Sequence, residues 1–141
     1  MHLFIIPLAV MVVTQAIKMV VEYSKGTFSW SHVNGYGGMP SSHAALVTSL
    51  AYTLCYFEGP ASPAFAVSLI LFAVVLRDAL GLRYQLGVHG TVINRLIKEL
   101  PDREEYKFPV LGERMGHTLP EAAAGIVVGL FLTALAISFA V

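Results

Sequence analysis

A run of about 20 apolar residues is what an α-helix needs to cross the ~30 Å hydrocarbon core of a bilayer. This chain opens with one: across positions 3–21 the sole charge is Lys18. Further apolar runs occupy 64–76 and 121–141. Hydrophobic residues make up 56% of the chain and charged residues 13%, against about a quarter charged in soluble domains. The bilayer is therefore the solvent that these segments suit. The first run lacks a basic leader and carries Gln15 and Lys18 in its later half, which predicts a retained transmembrane helix rather than a cleaved signal. A length of 141 residues suits a single domain, 1–141, of a few helices.

Punctuation along the chain sets the expected elements. A first span covers about 2–23, and a polar, glycine-rich loop covers 24–38. A second helix opens near Pro40 and runs to Phe57, which is short for a full crossing. The connector Glu58-Gly59-Pro60-Ala61-Ser62-Pro63 turns the chain back, so the helices on either side are antiparallel neighbours. A third span holds from 64 to 76, where Arg77, Asp78 and Arg83 interrupt it. From 86 to 100, Val88, Val92, Ile93, Leu96, Ile97 and Leu100 recur at helical spacing beside Arg95, Lys98 and Glu99. That is the pattern of a short amphipathic helix at the membrane surface. A charged loop, 101–114, leads into the last span, 121–141. The predicted fold class is all-α: an integral membrane bundle of about four transmembrane helices plus a short interfacial helix.

Four crossings put the chain ends and the 58–63 turn on one side of the membrane, and the loops 24–38 and 86–115 on the other. The loop cations Lys25, Arg95, Lys98, Arg103 and Lys107 all fall on that second side, which the positive-inside tendency makes cytoplasmic. An inner or plasma membrane, with the functional face toward the cytoplasm, is the expected location. A formal net charge of zero argues against nucleic acid as a partner. The lone Cys55 offers neither a disulfide framework nor a thiolate metal site.

Two polar segments stand at the starts of apolar runs: Gly37-Gly38-Met39-Pro40-Ser41-Ser42-His43 and Gly116-His117-Thr118-Leu119-Pro120-Glu121. Each offers Gly for close backbone approach, Pro and Ser or Thr to open a helix, and a His at the helix start. The topology brings both to one membrane depth with Lys18 and segment 78–83. Ionisable side chains there are costly unless they face a cavity or one another. His117 and Glu121 are four apart, so the carboxylate can hold one imidazole nitrogen and leave the other to attack or bind. Lys18 and Arg83 supply cations, and the N–H groups from Gly38 to Ser42, with a Ser hydroxyl, supply neutral donors. His43 is suitably placed to protonate a leaving oxygen. The set suits a phosphoryl group.

The Gly37 to His43 run, the Asp78-Ala-Leu-Gly-Leu-Arg83 segment, Asn94, and the Gly116 to Glu121 run together resemble the divergent branch of the type-2 phosphatidic acid phosphatases. That branch is related to acid phosphatases and vanadium-dependent haloperoxidases, and the resemblance covers nearly the whole chain. It implies that Ser41 or Ser42 contacts phosphate, that His43 is the general acid, and that His117 is the nucleophile forming a phosphohistidine, with Glu121 as its orienting partner. Ser42 stands where the broader superfamily has Gly, and Glu121 where it has Asp. Leu111 stands where the superfamily has an Arg six residues before the nucleophile, with Arg114 nearby but out of register, and of the basic first motif Lys18 and Lys25-Gly26 remain; Arg83, held by Asp78, would take over the phosphate-binding charge.

The expected catalytic residues are thus His117, His43 and Glu121. The expected phosphate-binding residues are Lys18, Gly38, Ser41, Ser42 and Arg83, with Asp78 and Asn94 in support. The expected activity is hydrolysis of a lipid-linked phosphomonoester, with no cofactor. A divalent ion on His43, His117, Asp78 and Glu121 is the alternative chemistry, although no tight His-Glu-x-x-His pair is present. The small bundle leaves much helix surface facing lipid, which is compatible with a homo-oligomer.

Plainer roles stand beside these. Ser41 suits a helix cap, Asp78 an ion pair with Arg77 or Arg83 that ends a span, and Lys18 a side chain that snorkels to the interface. His32 and His89 read as solvated loop residues, and Tyr23, Trp30 and Tyr36 as an interfacial aromatic belt. Gly125 and Gly129 form a small-xxx-small pair for packing within the bundle or between protomers. A non-catalytic binder or transporter of anionic lipid phosphates, and a purely structural membrane subunit, are the alternative functions.

Overall fold

The computed structural model describes residues 2–26, 38–99, 109–113 and 116–140. Readings on Trp30, His32, Tyr36, Gly37, Leu100, Arg103, Lys107 and Arg114 lie outside the described residues. The elements are α1 (His2–Ser24), α2 (Ser42–Glu58), α3 (Pro63–Arg77), a π-helical turn (Asp78–Leu82), α4 (Arg83–Lys98) and α5 (Leu119–Ala140).

Caps explain where the helices begin. The Ser41 hydroxyl accepts the Ala44 N–H at the start of α2, so α2 opens two residues beyond Pro40. The Ser62 hydroxyl accepts the Phe65 N–H ahead of α3, where Pro63 fills the first helical position and needs no donor. Among the described residues three helices are long and apolar enough to cross a membrane: Leu3–Ser24, Pro63–Lys98 and Leu119–Phe139. The 17 residues of α2 make a rod of ~25 Å, short of the ~30 Å hydrocarbon core. Of the four crossings expected, three thus have the length.

Arg77, Asp78 and Arg83 do not end the third helix, contrary to the sequence expectation. Residues Pro63–Lys98 form one helical run of 36 residues. Charge changes which surroundings a helix face prefers, but it does not remove a backbone donor as proline does. Here the ladder widens instead of stopping, and the Arg83 N–H bonds to the Asp78 carbonyl five residues back. The amphipathic segment is the continuation, α4, and His89 is an exposed helical residue rather than a loop residue. Its apolar positions Val88, Val92, Ile93 and Leu96 are exposed, whereas Gly87, Gly90 and Asn94 are buried.

Helix α2 occupies the middle of the bundle, packed on α1, α3 and α5, while α1 also meets α5. Its inward positions are small or hydroxylated: Ala44, Ala45, Val47, Thr48, Ser49, Ala51 and Thr53 are all buried. Helices in lipid associate by close packing and hydrogen bonds because lipid tails are as apolar as side chains, and this interface follows that rule. A Cβ at Gly125 would collide with the Ser41 carbonyl, and one at Gly129 would meet the Ala45 carbonyl at 2.8 Å. This glycine pair therefore serves contacts inside the bundle. One turn further on, the Thr133 and Ser49 hydroxyls are hydrogen-bonded at 2.6 Å, fully buried. Large apolar side chains such as Phe4, Val67, Ile70, Phe131 and Phe139 point outward. The chain is a helical membrane bundle.

Candidate active site

Backbone hydrogen bonds tie the two polar helix starts to each other and to the π turn. The Ser41 N–H donates to the Glu121 carbonyl at 3.2 Å, which fixes the start of α2 against the first turn of α5. The His117 N–H donates to the Ala79 carbonyl at 3.0 Å. Between these contacts, Glu121 supplies the carboxylate half of a capping box: its Oε2 accepts the Thr118 N–H at 2.9 Å. Gly116 adopts φ +88°, and a Cβ there would lie 2.5 Å from the Tyr84 nitrogen and 2.9 Å from the Ala79 oxygen. Only glycine satisfies both the dihedral and the space.

Two cavities meet at this junction. The smaller, about 220 Å³, is bounded by His43, Val74, Val75, Asp78, Ala79, Arg83, Gly116 and His117. A cavity needs only ~10–15 Å³ by this measure to hold one water, so this one admits a phosphate group with the atoms next to it. The larger, about 420 Å³, is bordered by Gly38, Tyr84, Glu113 and Glu121 among others. Gly116 and His117 border both.

Charge around the smaller cavity is held in place. Arg83 Nε meets Asp78 Oδ2 at 2.6 Å, each side chain about one-third exposed, so the partner of Asp78 is Arg83 and not Arg77. Lys18 is 4% exposed: it lies inside the bundle instead of snorkelling out. Gly38, at φ +90°, closes over it so tightly that a Cβ would stand 2.7 Å from Lys18 Cε. Among the described residues no carboxylate closes an ion pair on the Lys18 ammonium. His117 is 7% exposed. Its Nδ1 stands 3.5 Å from Glu121 Oε2, beyond good hydrogen-bonding range, and has no hydrogen-bond partner among the described residues. Burial, chiefly, holds this imidazole below the ordinary histidine range. The Glu121 carboxylate opposes that shift, and the Lys18 charge adds to it. His117 is accordingly a neutral imidazole at pH 7.

The predicted residues divide by position. His43, Asp78, Arg83 and His117 border the smaller cavity, while Gly38 and Glu121 border the larger. Lys18, Ser41 and Ser42 border neither, and the Ser41 hydroxyl is occupied as a cap. Asn94 borders neither but holds Glu113, which lines the larger. Its amide nitrogen donates to the Leu111 carbonyl and to Glu113 Oε1, both at 2.9 Å, and its oxygen accepts the Leu111 N–H at 3.0 Å. It clasps segment 109–113, which approaches α4 where Gly90 leaves room for the Gly112 carbonyl. Sequence reading missed Val74, Val75, Tyr84 and Glu113 as lining residues, because nothing in their local pattern separates them from ordinary helix and loop positions. Among the described residues no three His, Cys, Asp or Glu side chains group closely enough to hold a metal ion.

Fold and site together define an integral membrane protein with paired histidines and a fixed arginine around a cavity at its helix starts. The chain belongs to the Divergent PAP2 family, whose pattern it matches over residues 1–132. It is 36% identical over 138 residues to the "Uncharacterized membrane protein YuiD" of Bacillus subtilis (strain 168), across 89% of this chain and 87% of that protein. No solved structure matches it significantly.

Proposed function

We propose that this protein is a membrane phosphatase that hydrolyses a lipid-linked phosphomonoester at the cytoplasmic face, with His117 as nucleophile. The observation that carries this reading is the shared cavity of about 220 Å³ bordered by His43, His117 and Arg83. Nε2 of the neutral His117 attacks phosphorus, and the ester P–O bond breaks. The leaving oxygen takes a proton from His43 and departs as the lipid alcohol. Water then attacks the phosphohistidine and gives its proton to His43. The N–P bond breaks, its electron pair returns to Nε2, and inorganic phosphate leaves. Arg83 and Lys18 stabilise charge on the non-bridging oxygens, and Glu121 offsets the positive charge on the phosphorylated imidazole. The apolar Val74 and Val75 in the cavity wall suit an amphiphilic substrate.

The test is phosphate release from a panel of lipid phosphates by purified protein in vesicles. Turnover disappears in His117→Ala and persists in His89→Ala, whose imidazole is exposed on α4. An unmodified protein that releases no phosphate from any member of the panel refutes the reading.

One observation favours a second reading, a non-catalytic binder or transporter of anionic lipid phosphates. The Glu121 carboxylate is engaged by the Thr118 N–H and does not hydrogen-bond Nδ1 of His117. Saturable binding of lipid phosphate without phosphate release selects it.

A further inference from the structure

We propose that the π turn Asp78–Leu82 sets the register of this site: its wider ring keeps Arg83 beside Asp78 at the cavity and frees the Ala79 carbonyl on which His117 docks, with Gly116 as the positioning residue that lies against it. The inference rests on the phosphatase reading of that cavity. At 3.6 residues per turn, positions five apart on an α-helix point about 140° away from each other. Asp78 and Arg83 are five apart, yet Nε and Oδ2 stand 2.6 Å apart. They meet because the Arg83 N–H reaches back to the Asp78 carbonyl, which closes the wider ring of a π turn.

The same shift frees an acceptor. In an uninterrupted α-helix the Ala79 carbonyl takes the N–H of the residue four ahead, Arg83. With that N–H given to Asp78, the Ala79 carbonyl accepts the backbone N–H of His117 instead. The arriving segment lies flat on the turn, since a Cβ at Gly116 would come within 2.9 Å of the Ala79 oxygen and of the Arg83 carbonyl carbon, and 2.5 Å from the Tyr84 nitrogen. All three are backbone atoms with no side-chain freedom to yield. The wide turn therefore does two things at one place: it keeps the Arg83 guanidinium on the face of Asp78 and frees the acceptor that holds the neighbouring histidine.

Removing one residue restores the four-residue ladder: Asp78 and Arg83 then stand four apart, about 40° from each other, so α4 stays nearly in place and their ion pair is kept, but the Ala79 carbonyl returns to the ladder and is lost to the His117 N–H. Gly81 is the residue to remove, because a Cβ there meets nothing within 4 Å, and Gly81→Ala preserves the residue count as a control. Both variants and the wild type are compared in detergent by circular dichroism, orthovanadate binding, phosphate release from lipid phosphates, and hydrogen exchange at the His117 amide. Gly81→Ala keeps all four. The deletion stays helical, loses protection at His117, binds orthovanadate at least tenfold more weakly, and loses about a hundredfold in kcat/KM, the scale of a 1 Å misplacement. A helical deletion variant with wild-type orthovanadate affinity and turnover overturns this inference alone. A wild type that neither binds orthovanadate nor turns over overturns the phosphatase reading and this inference with it. Should the deletion prevent folding, Gly116→Ala decides: a loss of His117 amide protection with a fall in kcat supports the proposal, and wild-type values for both overturn it.

Discussion

Gly125→Ala sets two physical effects against each other with opposite signs. In an exposed helix interior, alanine is favoured over glycine by about 1 kcal/mol. At position 125 the new methyl would overlap the Ser41 carbonyl oxygen and stand 3.0 Å from both the Ala44 and Ser41 Cβ atoms. The oxygen belongs to the capped start of α2 and cannot rotate away, so α2 and α5 must separate. Overpacking of this kind costs about 1–3 kcal/mol. Separation also breaks the Ser41 N–H to Glu121 carbonyl bond, worth about 1 kcal/mol. Against the gain in propensity, the net expectation is a loss of about 1–3 kcal/mol. The functional effect is larger, because Ser41 is two residues from His43 and a shift of about 1 Å in a reacting group costs about a hundredfold in rate. Stability is read by SDS titration followed by circular dichroism, and rate by phosphate release from lipid phosphate. Val127→Ala, on the exposed face of the same helix, is the control. If Gly125→Ala equals or exceeds the wild type in both measurements, the helices do not approach as closely as the reasoning requires.

Lys18→Met should raise bundle stability, because a buried charge without a carboxylate partner among the described residues is replaced by an apolar side chain. Orthovanadate affinity should fall at least tenfold in the same variant; reduced stability with unchanged affinity would assign the lysine to packing. The attacking form of His117 is neutral, and burial lowers its pKa, so the acid limb of kcat/KM lies below pH 6.5, the ordinary histidine value. Glu121→Gln keeps an acceptor for the Thr118 N–H but removes the charge that raises this pKa; it should move the limb to lower pH, and movement to higher pH contradicts the assignment. Asn94→Ala strips the partners from the Leu111 N–H and carbonyl, at a cost of about 1–3 kcal/mol. Faster hydrogen exchange at the Leu111 amide is the readout, and unchanged exchange refutes the clasp.

Legibility along the chain depended on how local each property is. Hydropathy and run length are additive along the chain, so α1, α3 and α5 could be read directly, as could the short α2. Caps are nearly as local: Ser41, read as a helix cap, accepts the N–H three residues on and sets the start of α2, and Ser62 does the same for α3. Pairing the two His-containing segments needed only topology, and the family followed from their combination. The expectation that Arg77, Asp78 and Arg83 would end a helix failed because charge is a statement about solvation, whereas helix continuity is decided by backbone donors and acceptors.

Apolar runs and two polar helix starts were enough to specify a helical membrane protein of this family, with His43 and His117 marked out. Folding alone could decide which carbonyl receives the His117 N–H, that the ladder widens at Asp78, and that Gly116, Gly125 and Gly129 stand against backbone rather than lipid. Each of those outcomes depends on what a residue meets from another element. Five-residue hydrogen bonds inside an α-helix are rare, so the widened turn at Asp78 belongs with the segment that docks on it.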